Sequence, residues 1–172
     1  MGAADIVGVL ACLVVIGALT FKNDHRFKLV GLIAILLWVL YYWLLGAASG
    51  FVFMLLLAVR QVISLFAERL SSRTRQWALI ALVVAMTASA AFTWEGLQSL
   101  LPWVAAVNGA HAYSVRSGIM LRSQLFLGDC AWLAYAVIVQ AWPHVVLMLI
   151  VICVNLVTIH RLRREIRSLR GV

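Results

Sequence analysis

Residues 29–46 read LVGLIAILLWVLYYWLLG, a run without a single charge, entered through Lys22, Asp24, Arg26 and Lys28. A helix needs roughly 20 mostly apolar residues to cross a hydrocarbon core of about 30 Å, and this stretch has nearly that length. Its apolar residues do not alternate with polar ones, as they would along a barrel strand. Without water, every backbone N–H and C=O must be satisfied within the segment, so the run reads as a membrane helix. Working outward from it, six further stretches have the same character, near 5–21, 50–67, 77–94, 97–114, 124–141 and 143–160. The expectation is an all-α membrane protein with seven transmembrane helices.

Composition agrees. The 172 residues are 65% hydrophobic and 12% charged, where a soluble domain is about half apolar and a quarter charged. The mean hydropathy is +1.05. No stretch outside the spans is long enough for a soluble domain, so any chemistry belongs inside the bundle or on short loops. The first apolar run lacks a basic n-region and is preceded by Asp5, which reads as a retained helix and not a signal peptide. Cys12, Cys130 and Cys153 all fall within predicted spans and at no ligand spacing, so neither a disulfide framework nor a metal or cofactor site is expected.

The net charge of +8 is distributed as a membrane address and not as a nucleic-acid footprint. Every Lys and Arg except Arg60 lies on alternate connections: Lys22, Arg26 and Lys28; Arg69, Arg73 and Arg75; Arg116 and Arg122; and the tail Arg161, Arg163, Arg164, Arg167 and Arg170. The positive-inside rule makes that side cytoplasmic, with the N-terminus outside and the C-terminus inside. In the tail, Leu162, Ile166 and Leu169 fall between Arg163, Arg167 and Arg170, an amphipathic pattern suited to anionic lipid headgroups. The plainer alternative is a topology anchor that continues the last helix.

Sliding the chain by 94 residues superposes spans one to three on spans five to seven. Trp38 then falls on Trp132, Tyr41 on Tyr135, Met54 on Met148, Gln61 on Asn155, Lys22 on Arg116 and Lys28 on Arg122. The span lengths, loop lengths and charged connections coincide as well. The expected organisation is a first three-helix repeat over 1–70, a linker helix over 71–96, a second parallel repeat over 97–162 and a basic tail over 163–172. Ala85, Ala88, Ala90 and Ala91 would let the linker pack closely beside a repeat.

Arg60 and Gln61 in span three, Asn108 and His111 in span five, Asp129 in span six and Asn155 in span seven all lie a few residues from the cytoplasmic ends. Polar and ionisable groups at that depth usually face the bundle interior or a water-filled cavity, so this layer is the candidate solute site. Asp129 is the natural counter-charge for Arg60. Spans three and six run in opposite directions, however, so the two side chains lean apart and their pairing stays open. Gln61 and Asn155 could face each other across a central path or act as interhelical glue. His111 could add a titratable group, and Trp38 and Trp132 could wall a pocket or simply pack.

Two resemblances follow. The run Thr20-Phe21-Lys22-Asn23-Asp24 to Arg26-Phe27-Lys28, the Leu44-Leu45-Gly46 that ends span two, and Arg60 followed by Ile63 and Leu65 resemble the YgjV-type (Imp-YgjV) bacterial inner-membrane proteins over nearly the whole chain. That resemblance implies a bacterial inner-membrane location and carries no activity with it. The 3+1+3 layout is similar to that of the SWEET and PQ-loop transporters, which implies two triple-helix bundles enclosing a substrate path, with Gln61 and Asn155 as counterparts of their Asn pair. Pro102 resembles their helix-breaking prolines, although its mate is Gly8 and no Pro-Gln dipeptide occurs.

The leading expectation is an alternating-access carrier of a small polar solute, and the rival is a non-transport scaffold or partner subunit. No catalytic constellation is present, so an enzyme is not expected. The expected partners are the bilayer, the solute and anionic headgroups at the tail. A second copy of the chain is an open alternative, and nucleic acid is not expected.

Overall fold

The computed structural model describes residues 2–18, 21, 23–66, 69–112 and 118–170, with side chains at all of these except 24, 111, 112, 118–122, 162 and 165–170. Among the described residues the chain is helical throughout and has no strand. Its helices are α1 (Ala3–Ala18), α2 (Asp24–Leu45), α3 (Ala48–Leu65), α4 (Ser72–Phe92), α5 (Leu100–Ala112), α6 (Gly118–Ile138) and α7 (Trp142–Arg170), with one 3-10 turn at Leu97–Ser99 before α5. Four of them are long and apolar enough to cross a membrane: His25–Leu45 of α2, Ala48–Leu65, Ser72–Phe92 and Trp142–Arg161 of α7. α1 and the Ser123–Ile138 part of α6 are shorter apolar helices, and α5 has 13 residues.

The outward faces explain the composition. Leu13 is 61% exposed, Trp43 64% and Val84 62%, and similar side chains line the outside of most helices. Such surface is unfavourable in water by about 25 cal/mol per Å² but suits lipid. Trp43, Trp94 and Trp142 are exposed at one end of the bundle, where α2 and α4 finish and α7 begins. Amphipathic indole rings concentrate at that level of a bilayer.

Local chemistry sets the helix ends. Asn23 caps α2 by accepting from Arg26 N at 3.1 Å, and Ser71 caps α4 by accepting from Thr74 N at 3.1 Å. Ala47 has no side chain to cap α3. Glu95, on the connection after α4, supplies the acceptors instead: Ala48 N and Ser49 Oγ each donate to its carboxylate at 3.2 Å. An anion at a helix N-terminus also complements the helix dipole.

α2 and α6 stop in the same way. Gly46 has φ 74° and donates to Trp43 O at 3.1 Å, and Ala47 N donates to Tyr42 O at 3.1 Å. Ninety-four positions later, Gln140 has φ 57° and donates to Val137 O at 3.2 Å, and Ala141 N donates to Ala136 O at 2.8 Å. Both are left-handed caps that return two end carbonyls to hydrogen bonding.

α2 packs on α1 and α3, and α6 packs on α5 and α7. These two triplets meet where α1 touches α7 and α3 touches α5, while α4 lies against α3 and α5. α4 differs from the alanine-stripe expectation. Its buried seam is Leu82, Met86 and Ala90, at helical spacing of four, and Ala88 and Ala91 face outward. α5 also begins later than expected. Gly96 turns at φ 111°, and the Ser99 hydroxyl accepts from Glu95 N at 2.9 Å and donates to Thr93 O at 3.2 Å, closing a compact turn. Pro102 then falls in the first turn of α5, where a missing N–H costs nothing, so it opens the helix and does not break it. α7 continues unbroken to Arg170. Lys22 and Arg116 lie outside the described residues, as do the side chains of Arg122, Leu162, Ile166, Arg167, Leu169 and Arg170.

The two left-handed caps yield a reciprocal test. Gly46→Ala forces a Cβ into positive φ and should lower stability by about 1–2 kcal/mol. Gln140→Gly removes that strain and should raise the melting temperature in detergent, by about 1 kcal/mol in stability.

Candidate functional site

The end of α2 presents two tyrosines about a quarter-turn apart, and each meets a glycine. A Cβ on Gly8 of α1 would lie 2.9 Å from both the Tyr41 ring and Pro143, and one on Gly50 of α3 would lie 2.6 Å from Tyr42 and 2.9 Å from Tyr135. Only glycine admits these rings so close to the backbone. Tyr42 shares a hydrogen bond with His144 Nδ1 on α7. His144 is 2% exposed, and Trp38 stacks on it with centroids 4.4 Å apart and planes at 28°. Trp132 and Tyr135 complete the cluster, their centroids 5.6 Å from His144 and 5.8 Å from Tyr42 respectively. Aromatic pairs of this kind contribute about 0.5–1.5 kcal/mol each beyond their buried area.

Trp38 also forms the inner wall of a cavity of about 330 Å³ between α1, α2 and α3. Val15, Ala18, Phe27, Gly31, Ala34 and Ile35 give it apolar sides, and Lys28, Gln61 and Ser64 contribute the polar groups. Lys28 is in the first turns of α2, while Ala18 and Ser64 are at the ends of α1 and α3, so the polar groups sit at one end. Trp38 is ten residues further along α2, about 15 Å deeper at 1.5 Å per residue. Gln61 is buried and donates from Nε2 to Lys28 O at 3.0 Å.

The polar layer read from the sequence divides among three places. Gln61 and Trp38 line the cavity, and Arg60, Asn108, Asp129 and Asn155 do not. Asn155 Nδ2 donates to Asp129 Oδ2 at 2.6 Å inside the second triplet. Each amide thus donates a hydrogen bond within its own triplet. Among the described residues no ion pair joins Asp129 to Arg60. The Arg60 guanidinium reaches α5, where Nη1 lies 3.1 Å from the position of a Gly109 Cβ. Asn108 packs against Gly128 of α6, Trp132 belongs to the aromatic cluster, and the side chain of His111 lies outside the described residues.

Sequence reasoning missed Tyr42, His144, Ser49 and Glu95. At the end of the bundle opposite Lys28, Tyr42 and His144 bond to each other, and Ser49 and Glu95 belong to a separate set of linked hydrogen bonds. An ionised carboxylate can only accept, so Ser49 donates to Glu95 Oε2, Tyr135 donates to Ser49 Oγ at 2.9 Å, and Gly50 N donates to the Tyr135 oxygen at 2.8 Å. The chain of bonds joins the connection after α4 to α3 and α6. The 94-residue shift points to Tyr135 as the mate of Tyr41, but no sequence signal named its partners.

Helices of this length, with apolar faces outward and indole rings at one end, define an integral membrane protein of several spans. Residues 2–166 match the family Imp-YgjV, described as bacterial inner membrane protein, and the chain belongs to that family. No curated protein and no solved structure matches it.

The Asp129–Asn155 bond should dominate the energetics of the polar layer. Asn155→Leu strands a partly buried carboxylate, at a cost of about 1–3 kcal/mol. A double-mutant cycle between Asp129 and Asn155, read as melting temperature in detergent, should give a coupling of about 0.5–3 kcal/mol. The same cycle between Asp129 and Arg60 should give a clearly smaller one.

Proposed function

We propose that this inner-membrane protein is a carrier that moves a small solute by alternating access between the two triplets. Its seven helices all cross the bilayer, with the N-terminus outside and the C-terminus in the cytoplasm. The carrying observation is the cavity between α1, α2 and α3, polar at the Lys28 end and closed at depth by Trp38 stacked on buried His144. In this orientation the cavity faces the cytoplasm, and the aromatic cluster seals the outer side. Two further features support paired repeats. The inter-triplet contacts α1 to α7 and α3 to α5 exchange with each other under the 94-residue shift, and the turns after α2 and α6 repeat their hydrogen bonds at that same shift. The reading includes no catalysis and no cofactor.

A scaffold or partner subunit is the second reading. It is favoured by the way Gln61, Asn155 and Asp129 find hydrogen-bond partners within their own triplets, as structural glue would.

Two experiments test the proposal. With Cys12, Cys130 and Cys153 replaced by Ala, single cysteines at the exposed positions Ala48 and Gln140 should react with an impermeant reagent from outside, and one at Arg73 only after permeabilisation. The reverse pattern overturns the orientation. In proteoliposomes, a metabolite panel should reveal uptake that Ile35→Trp, which fills the cavity, lowers by ~10-fold or more, equivalent to about 1.4 kcal/mol, while the variant still elutes as a folded protein. Folded wild-type protein that moves no member of the panel supports the scaffold.

A further inference from the structure

We propose that the cavity of the first triplet takes a small uncharged amphipathic molecule, which gives an N–H or O–H donor to Gln61 and lays an apolar, preferably planar body against the deeper walls. This names the solute class of the carrier reading and rests on it. Gln61 is only 8% exposed, yet it lines the cavity. A main-chain carbonyl can only accept, so the bond to Lys28 O at 3.0 Å turns the amide nitrogen of Gln61 toward α2. Gly31 leaves room for that pose, since a Cβ there would lie 3.3 Å from Nε2. The other end of the amide, Oε1, accepts from no group among the described residues. A buried acceptor without a donor is unfavourable, and a ligand N–H or O–H supplies what it lacks. Ser64 stands three residues on along α3, hence on the same face, and its hydroxyl also bonds to no group among the described residues. Both open groups are neutral, and a head with a full charge would need an ionic partner to offset its desolvation. Lys28 takes part through its main-chain carbonyl, so this pairing does not draw on its ammonium. From Gln61 inward the lining is Gly31, Ala34, Ile35 and Trp38. A sugar would bring more hydroxyls than Gln61 and Ser64 can match and would bury the rest against these mostly apolar walls. One face of Trp38 is taken by His144, and the ring still borders the cavity, which offers a planar body an aromatic surface at the deep end. A volume of about 330 Å³ is near the lower limit for ligand pockets, so the body is small.

The test uses the full chain in lipid nanodiscs and four probes on one phenylpropyl body: 4-phenylbutyramide, its isosteric methyl ketone 5-phenylpentan-2-one, 4-phenylbutyrate and 4-phenylbutylamine. The ketone has a methyl group in place of the amide's donor, so it keeps the shape and the acceptor and loses what Gln61 Oε1 would accept. Calorimetric titration, with empty nanodiscs subtracted, should rank the amide about tenfold tighter than the ketone and ahead of both charged probes. Gln61→Met keeps the length of the side chain, removes the acceptor and should bring the amide down to the ketone's affinity. Ile35→Trp should abolish saturable binding of all four. A ketone as tight as the amide, a charged probe tightest, an unchanged order in folded Gln61→Met, or no saturable binding by folded wild type overturns the proposal. So does native mass spectrometry that finds a bilayer lipid retained by the wild type and displaced by Ile35→Trp. If Gln61→Met does not fold, the ranking in the wild type decides alone. The carrier reading fails separately: if the amide binds in this order yet exchanges across proteoliposomes no faster than across protein-free liposomes, the site stands and transport falls. If instead Ile35→Trp blocks uptake of an ion or a sugar, transport stands and this solute class falls.

Discussion

Tyr135 reaches from α6 to the start of α3, where its oxygen accepts from Gly50 N at 2.8 Å and its hydroxyl faces Ser49 Oγ at 2.9 Å. That contact fixes how the two triplets meet. It requires a glycine at position 50, because any Cβ there would overlap Tyr42 and Tyr135. It brings α3 close enough to α6 for the Tyr42 ring to lie between Tyr135, Trp132 and His144. It also leaves Ser49 oriented to donate to Glu95, so the cap of α3 and the connection after α4 depend on the same atoms. In a bilayer, where the hydrophobic effect does little to press helices together, close backbone approach and satisfied polar groups take over that task.

Positions 94 apart are filled differently in the two triplets. Val15, Ile35 and Gln61 line the cavity of the first, and their mates in the second are Gly109, Asp129 and Asn155. An apolar pair and an amide leave space on one side. On the other, a carboxylate and an amide bond to each other at 2.6 Å, and Arg60 approaches Gly109, which has no side chain to exclude it. Gly50 and His144 are mates as well: the glycine admits two tyrosine rings, and the histidine fills the corresponding room by stacking on Trp38. The first triplet thus carries an open, mostly apolar site, and the second a closed, polar one.

Helix existence was legible because hydropathy is a local signal. The run 29–46 announced α2, and the alternating basic connections agreed with the helix count found. Asn23, Gly46 and Ser71 are punctuation that a sequence shows. Glu95 was not legible as the cap of α3, since it lies 47 positions from Ala48 and the bond exists only after the helices pack. His144 lies at the start of α7, and its burial comes from α2 and α6 converging on it. The polar layer is read from position along each helix, and position along a helix does not specify azimuth. Rotation about the helix axis sent Gln61 toward Lys28 O, Asn155 toward Asp129 and Arg60 toward α5. Pro102 was misread for a related reason: the same residue breaks a helix at its middle and opens one in its first turn, and the boundary at Leu100 was set by Gly96 and Ser99.

The contacts at the sealed end are not equally exchangeable, which bears on how a cavity open at the other end could ever be reached from that side. Glu95 and Ala48 are exposed, so water can replace the bond between them at little net cost, whereas buried Ser49 would lose its acceptor. Tyr42, Tyr135 and His144 are buried, and separating them leaves polar atoms without partners, a cost of about 1–3 kcal/mol per group. Tyr42 and His144 bind α2 to α7, and Tyr135 binds α6 to α3, so both sets of bonds cross between the triplets. A rocking of one triplet against the other must therefore break the buried bonds or carry these side chains along with one partner. The glycines at 8 and 50 leave no slack for rings to slide past a Cβ-bearing backbone, yet they impose no side chain of their own that must repack. Any separation of the triplets at this end would therefore meet its resistance in these buried hydrogen-bonded contacts and the aromatic stacking around them.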